Sequence, residues 1–216
     1  MCDDWVNWLD PVRVLATEAS ARILEIYATG FAVAAKADNS PLTAADLASH
    51  HAIIDGLRHL TPDIPILSEE SAAIPFTERS QWRRYWLIDP LDGTKEFVQR
   101  NGQFTVNIAL IVDHQPVLGV VRVPVTGLCY FAARGYGVFR EEPGQPPQPI
   151  QVKPLSPGQP LRVVGSRSHG GPELQRFVAA LGPHELVTIG SSLKLCQVAE
   201  GSVDVYPRLG PTSEWD

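Results

Sequence analysis

Four carboxylate residues stand in two short groups in the first half of the sequence. Glu69 and Glu70 follow one apolar stretch, and Asp89 and Asp92 follow the next, within Asp-Pro-Leu-Asp-Gly-Thr. Carboxylates that converge from the ends of neighbouring strands repel one another unless a cation neutralises them. Because oxygen donors without histidine or cysteine select hard ions, these residues predict a site for magnesium, manganese or calcium rather than zinc. The Leu91 carbonyl between the two aspartates offers a further ligand.

The alternative is that residues 89–93 form only a tight turn, since Asp-Pro and Asp-Gly pairs are common in turns. The preceding Glu-Glu pair and the strand between the two groups favour the metal site. Gly93 and Thr94 open the next segment, where glycine allows close backbone approach and N–H groups can hold a phosphate.

These motifs resemble those of the inositol-monophosphatase-like, lithium-sensitive, magnesium-dependent phosphomonoesterases. Within that family, the likeness is greatest to the bacterial 3′(2′),5′-bisphosphate nucleotidases, and it covers nearly the whole chain. The motifs that carry it are Glu69-Glu70, Asp89-Pro-Leu-Asp92-Gly-Thr94 and Trp215-Asp216. The segments that support it are 36–46, 95–97, 104–109, 166–169 and 190–194.

The resemblance implies a layered α/β/α/β/α sandwich with two or three magnesium ions between its halves. The implied metal ligands are Glu69, Asp89, Asp92, Asp216 and the carbonyl of Leu91. Glu70 would support this set, and Thr94 paired with Asp46 would polarise the attacking water. The alternative for Asp46 is a helix cap alone.

The resemblance also implies which residues hold the substrate. Around the reacting phosphate these would be Glu69, Leu91, Asp92, Gly93, Thr94 and Asp216. The nucleotide and its other phosphate would be held by Ser166, His169, Gly190 and Lys194. Without the resemblance, Lys194 would be interpreted as a solvated surface lysine and His169 as a loop cap. Arg83, Arg84 and Arg100 are further candidates, for a basic rim near the site.

Secondary structure in the first half follows from apolar spacing and turn residues. Apolar residues three and four apart predict a helix over about 10–28, and Thr43 with Asp46 predicts the start of a second helix that ends near Leu60. Short strands are expected at 64–67 and 85–88. The segments 104–112, 116–123, 127–133 and 137–140 predict an antiparallel meander.

The second half alternates strand and helix, which favours a layered α/β unit. Strands are expected at 161–165, 186–189 and 203–206, with helices at 172–181 and 191–200. The proline-rich stretch 142–149 predicts a linker. We therefore expect an N-terminal half over 1–142 and a nucleotide-selecting half over 160–216, acting as one catalytic unit.

The net charge of −6 argues against a general nucleic-acid binder, because phosphate backbones select a basic face. Three widely spaced cysteines predict neither a disulfide framework nor a zinc site. The acidic N-terminus is unlike a signal peptide, and no apolar run approaches the ~20 residues that span a bilayer. The sequence predicts a cytoplasmic protein, at most peripheral on the inner membrane, and leaves a homodimer open.

The leading hypothesis is a phosphatase that converts adenosine 3′,5′-bisphosphate to AMP and phosphate. An inositol monophosphatase or sugar-bisphosphate phosphatase would use the same metal ligands, but the segments 166–169 and 190–194 argue against it. Family members continue beyond the Trp-Asp motif, which here ends the sequence at Asp216. We therefore expect an incomplete final layer, and a truncated, inactive nucleotide-binding relic is the alternative from another class.

Overall fold

Two helices at the start of the chain cover one face of the main sheet. The computed structural model describes residues 5–35, 41–71, 73–155, 158–167 and 171–215. Helix α1 spans Trp5–Tyr27, so the predicted start near residue 10 was wrong. Trp5 and Leu9 are buried, which extends the apolar stripe by more than a turn before Pro11.

The next elements are a short antiparallel pair, β1 (Val33–Ala35) with β2 (Pro41–Thr43), and helix α2 (Ala44–Leu60). The predicted start of α2 is confirmed. The Thr43 hydroxyl oxygen accepts from the Ala45 N–H, and the Asp46 carboxylate accepts from the Thr43 N–H, which together cap the helix. Helix α2 packs on α1 and on the strand that carries the two aspartates.

The remaining elements of the first half are the seven strands of one sheet and two short helices. In chain order they are β3 (Ile66–Ser68), α3 (Phe76–Arg79), β4 (Arg84–Asp92), α4 (Thr94–Val98), β5 (Thr105–Val112), β6 (Gln115–Arg122), β7 (Cys129–Ala133), β8 (Gly137–Glu141) and β9 (Gln148–Pro149). The sheet runs in that order from β3 to β9, with β3 and β4 parallel and every later pair antiparallel. The predicted meander is confirmed.

The core lies between this sheet and the two long helices. Its fully buried side chains include Val12 and Ile23 from α1, Ile53 from α2 and Trp86 from β4. Strand β5 is buried along nearly its whole length, so it lies in the interior of this sheet and is covered on both faces.

The proline-rich stretch ends in the edge strand β9 rather than in an entirely irregular linker. Proline is tolerated there because an edge strand leaves one row of N–H groups unpaired. The second half contains β10 (Leu161–Ser166), α5 (Pro172–Ala180), β11 (His184–Ile189) and α6 (Leu193–Ala199). Strands β10 and β11 are parallel, as a strand–helix–strand unit requires. The third predicted strand is reduced to one bridge, between Val163 and Val205.

The result is a layered α/β architecture, as predicted. A division near 142–160 stays a prediction. The two halves are joined across it by Tyr130, whose hydroxyl donates to Glu200 at 2.8 Å, and by Arg140, whose Nε lies 3.2 Å from the same carboxylate.

Candidate active site

A cavity of about 500 Å³ is lined by residues from both the first and the second half of the sequence. It brings together eight of the residues predicted for the site: Glu69, Asp89, Leu91, Asp92, Gly93, Thr94, Ser166 and Lys194. Asp46 contacts Thr94, and Gly190 directly precedes Ser191; both of these neighbours line the cavity. His169 and Asp216 lie outside the described residues.

The parallel pairing of β3 with β4 brings the two acidic groups together. The pairing extends past β3, because the Glu69 N–H donates to the Ile88 carbonyl at 3.1 Å, one residue before Asp89. The prediction that the two aspartates follow the strand was wrong, because both lie within β4. Between them the register with β5 shifts, at Pro90, which has no N–H to give to the ladder.

Asp89 is held in a fixed orientation by its own turn. Its carboxylate is buried, and Oδ1 accepts a hydrogen bond from the Leu91 N–H at 3.1 Å. Ser49 of α2 is fully buried and donates to the Pro90 carbonyl at 2.7 Å. Helix α2 therefore fixes the peptide between the two aspartates and, with it, the Leu91 carbonyl.

Asp92 is anchored from the opposite half of the molecule. Its Oδ2 accepts from the backbone N–H of Ser192 and lies 3.4 Å from the Thr105 hydroxyl. The Ser192 hydroxyl in turn donates to Oδ1 of Asn107 at 2.9 Å. These contacts place the segment that precedes α6 directly against the acidic group.

Thr94 and Asp46 form the predicted pair. The Thr94 hydroxyl donates to Oδ1 of Asp46 at 3.2 Å, while Oδ2 of Asp46 caps α2 through Thr43. Asp46 therefore caps α2 and also contacts Thr94, while its part in polarising the attacking water stays a prediction. A hydroxyl whose proton is directed at a carboxylate keeps its lone pairs available to accept a hydrogen bond from water.

Lys194 is buried, so the alternative of a solvated surface lysine is wrong. Its ammonium donates to the Ser191 carbonyl and lies 5.4 Å from the centre of the Tyr206 ring. The helix around it starts later than predicted, because Ser191 has φ 54° and Leu193 is the first residue of α6. The Ser192 N–H that precedes this helix is bonded to an anion of the protein itself, the Asp92 carboxylate.

The sequence analysis missed Arg208 and Tyr206, which also line the cavity. The Arg208 guanidinium donates to Thr212 at 2.9 Å, so it is held at the cavity by its own segment. The three arginines predicted for a rim do not line the cavity. Arg83 pairs with Asp113 at 2.9 Å, Arg84 lies over the Trp8 ring, and Arg100 donates to the Tyr27 and Thr29 carbonyls at the end of α1. The signal that could have found Arg208 is its place directly after the third predicted strand of the second half.

The two cysteines in the described residues, Cys129 and Cys196, are free and buried. Burial and the nearby Glu200 carboxylate raise the pKa of Cys196 to about 12, so its thiol stays protonated. It therefore acts as a small apolar side chain in the interior.

The donors at the cavity have the chemistry of a hard-cation site. Glu69, Asp89 and Asp92 supply carboxylate oxygens, and the Leu91 backbone lies between them. Within the part of the chain that the structure describes, no three acidic, histidine or cysteine side chains complete a metal site on their own. The predicted ligand Asp216 lies outside that part, so the full ligand set stays a prediction.

Comparisons with known proteins support this reading. A 3′(2′),5′-bisphosphate nucleotidase CysQ from Escherichia coli O157:H7 is 54% identical over 210 residues, which cover 96% of this chain and 83% of that protein. A CysQ from Haemophilus influenzae is 38% identical, covering 96% of this chain and 77% of that protein.

Solved structures of relatives share the fold. The crystal structure of CysQ from Bacteroides thetaiotaomicron, at 39% identity, matches with a TM-score of 0.81 over 96% of this chain and 82% of that one. An inositol monophosphatase from Anabaena, at 26% identity, matches with a TM-score of 0.75 over 94% of this chain and 75% of that one.

No helix among the described residues is long and apolar enough to cross a membrane.

The profile of the inositol monophosphatase family matches residues 4–216. That match, the identity to the CysQ proteins and the arrangement of acidic residues agree. The chain therefore belongs to the inositol monophosphatase family.

Proposed function

We propose that this protein is a magnesium-dependent 3′(2′),5′-bisphosphate nucleotidase, which hydrolyses adenosine 3′,5′-bisphosphate to AMP and phosphate. The observation that carries the proposal is that the carboxylates of Glu69, Asp89 and Asp92 and the buried Lys194 line the same cavity. The carboxylates suit the reacting end of the substrate, and the lysine suits a second phosphate. The names of the similar CysQ proteins point to the same substrate class.

Glu69, Asp89, Asp92, the Leu91 carbonyl and Asp216 would hold two or three magnesium ions, with Glu70 supporting them. When bound, such ions lower the pKa of a coordinated water and stabilise the charge on the leaving oxygen. The protein contributes orientation, since Asp89 and Asp92 are fixed by backbone N–H groups of Leu91 and Ser192.

Thr94 and Asp46 would orient the attacking water. The Thr94 hydroxyl donates to Asp46 and therefore accepts from the water, which directs a lone pair of the water oxygen at phosphorus. Gly93 has φ 93°, a backbone conformation that favours glycine, and a side chain there would meet the Gln103 carbonyl oxygen at 3.3 Å.

Substrate selection would come from the second half. The Lys194 ammonium would bind the phosphate that is not cleaved, and Ser166 would bind the nucleotide from the end of β10. His169 and Gly190 complete the predicted set. The proposal gives the enzyme a cytoplasmic location, while peripheral membrane contact and a homodimer stay predictions.

The test compares phosphate release from adenosine 3′,5′-bisphosphate and from inositol 1-phosphate, each with magnesium. We expect a higher kcat/KM for the bisphosphate. Lys194→Met should raise the KM for the bisphosphate at least about tenfold, because a charge-assisted contact to phosphate is lost, and should change that for inositol 1-phosphate much less. Lys153→Met, outside this cavity, is the control.

Faster turnover of inositol 1-phosphate would overturn the proposal in favour of an inositol monophosphatase. If neither substrate is hydrolysed while the bisphosphate still binds, the chain is a nucleotide-binding relic.

A further inference from the structure

Gln103 occupies the point at which the acidic group meets both segments of the second half. It lies in the loop before β5, where its N–H donates to Oδ1 of Asn101 at 2.9 Å. Sequence analysis gave it no role, and it does not line the cavity. It lies against Gly93 after β4, Arg167 after β10 and Gly190 before α6, and so it touches each of the three segments that form the site.

The backbone of Gln103 is packed against two glycines of the site. A methyl group on Gly190 would lie 2.7 Å from the Gln103 carbonyl oxygen, and one on Gly93 would lie 3.3 Å from the same atom. Gly93 directly follows the acidic strand β4, and Gly190 opens the 190–194 segment. The Gln103 carbonyl therefore sets the distance between these two segments.

The side chain of Gln103 connects the same region to both segments of the second half. Its Oε1 accepts from the Gly190 N–H at 3.0 Å and from Nε of Arg167 at 3.1 Å. Gly190 is buried, and Arg167 also donates to the Thr188 carbonyl on β11 at 3.3 Å. One acceptor oxygen thus holds the end of β10 and the start of the 190–194 segment in a fixed relation.

We propose that Gln103 is a positioning residue, which sets how the segments at Ser166–Arg167 and Gly190–Lys194 face the carboxylate group. Through them it determines the preference for a substrate with a second phosphate. The inference rests on the proposed function for the identity of that substrate. It assigns Gln103 no contact with the substrate itself, because the side-chain oxygen is already shared by two protein donors.

The first experiment uses the whole chain with magnesium and compares Gln103→Met with Gln103→Glu. Methionine keeps the length of the side chain but removes the acceptor, whereas glutamate keeps an acceptor oxygen for both donors. We expect Gln103→Met to raise the KM for adenosine 3′,5′-bisphosphate about fivefold, as the loss of one hydrogen-bond acceptor implies. Gln103→Glu should restore a KM close to that of the wild type.

The kcat for the bisphosphate and the inhibition constant of inorganic phosphate should stay within about twofold of the wild type, since both report on the reacting end of the site. Gln148→Met is the matched control, because Gln148 lies on the exposed edge strand β9 and its side chain donates to the Pro146 carbonyl. An unchanged KM in Gln103→Met, or an equal fall in kcat and affinity for phosphate, would overturn the inference.

A second variant approaches the same hydrogen bond from the other side and covers the case in which Gln103→Met fails to fold. Arg167→Met removes an exposed donor and should also raise the KM for the bisphosphate. In the double variant the two effects should not add, because both remove one interaction. Full additivity would overturn the inference. Whether the proposed function itself is wrong is determined separately, by comparing the two substrates with the wild-type protein.

Discussion

The backbone N–H of Ser192 donates a hydrogen bond to the Asp92 carboxylate from a position 100 residues further along the chain. This contact joins the acidic strand of the first half to the segment that carries Lys194. Because the acidic residues and Lys194, which line one cavity, come from different halves of the sequence, the geometry of the cavity depends on this junction. The predictions below test the junction, the acidic group and the elements that hold them.

Thr94→Val should lower kcat for the bisphosphate at least about 100-fold, because it removes the hydroxyl that lies between Asp46 and the water. The shape of the side chain is kept, so the melting temperature should change little. Steady-state phosphate release checks the rate, and Thr94→Ser, which keeps the hydroxyl, is the control. A kcat within about fivefold of the wild type would contradict the assigned role.

Ser49→Ala should destabilise the protein by about 1–3 kcal/mol, because the Pro90 carbonyl loses its donor in a buried position. Denaturant unfolding measures this change. Ser202→Ala is the matched control, since its hydroxyl also donates to a backbone carbonyl, that of Gln197, but at an exposed position. Equal effects of the two substitutions would show that Ser49 does not fix the peptide between the aspartates.

Gly190→Ala should impair both stability and activity, because the added methyl would lie 2.4 Å from Cγ of Glu96 and 2.7 Å from the Gln103 carbonyl oxygen. Relief of such overlap in a packed region costs about 1–3 kcal/mol and separates the two halves. Gly210→Ala, where nothing lies within 4 Å of the added methyl, is the control. Thermal melting and kcat/KM are the measurements, and wild-type values for Gly190→Ala would refute the close approach.

Asp204 should make stability depend on pH in the acidic range. Hydrogen bonds from Arg162 hold the pKa of the Asp204 carboxyl below its ordinary value of 3.8. A carboxyl with a lowered pKa in the folded state stabilises the fold above its unfolded pKa, and this contribution is lost as the pH falls through the folded pKa.

The stability difference between the wild type and Asp204→Asn should therefore be constant near neutral pH and shrink below about pH 4. Urea unfolding at a series of pH values measures it. Arg162→Met should remove the same pH-dependent part. A difference that does not change down to pH 2 would rule out this ion pair as its source.

Glu69→Gln should weaken magnesium binding at least about tenfold, because a neutral amide replaces one carboxylate of the cavity. A ligand that binds only the folded state raises the melting temperature, so magnesium should stabilise the wild type and stabilise Glu69→Gln less at the same concentration. Glu25→Gln, on the exposed face of α1, is the control. Equal stabilisation of all three proteins would remove Glu69 from the ligand set.

The sequence by itself determined the features that depend on residues a few positions apart. The cap of α2 by Thr43 and Asp46, the helical spacing in α1 and the turn residues between the strands of the meander are local, so they could be predicted without the fold. The residue types of the acidic group likewise limited the chemistry to hard cations, and the spacing of its motifs indicated the family.

Only the tertiary structure decided how distant residues meet. Two contacts join segments that are about 90–100 residues apart: that between Asp92 and Ser192, and that of Gln103 with Gly190. The burial of Lys194 likewise depends on the tertiary structure. Burial across the whole domain offsets the entropic cost of closing such loops, and no local sequence pattern shows which distant residues will be in contact. For the same reason Arg208, and not the arginines near β4, lines the cavity.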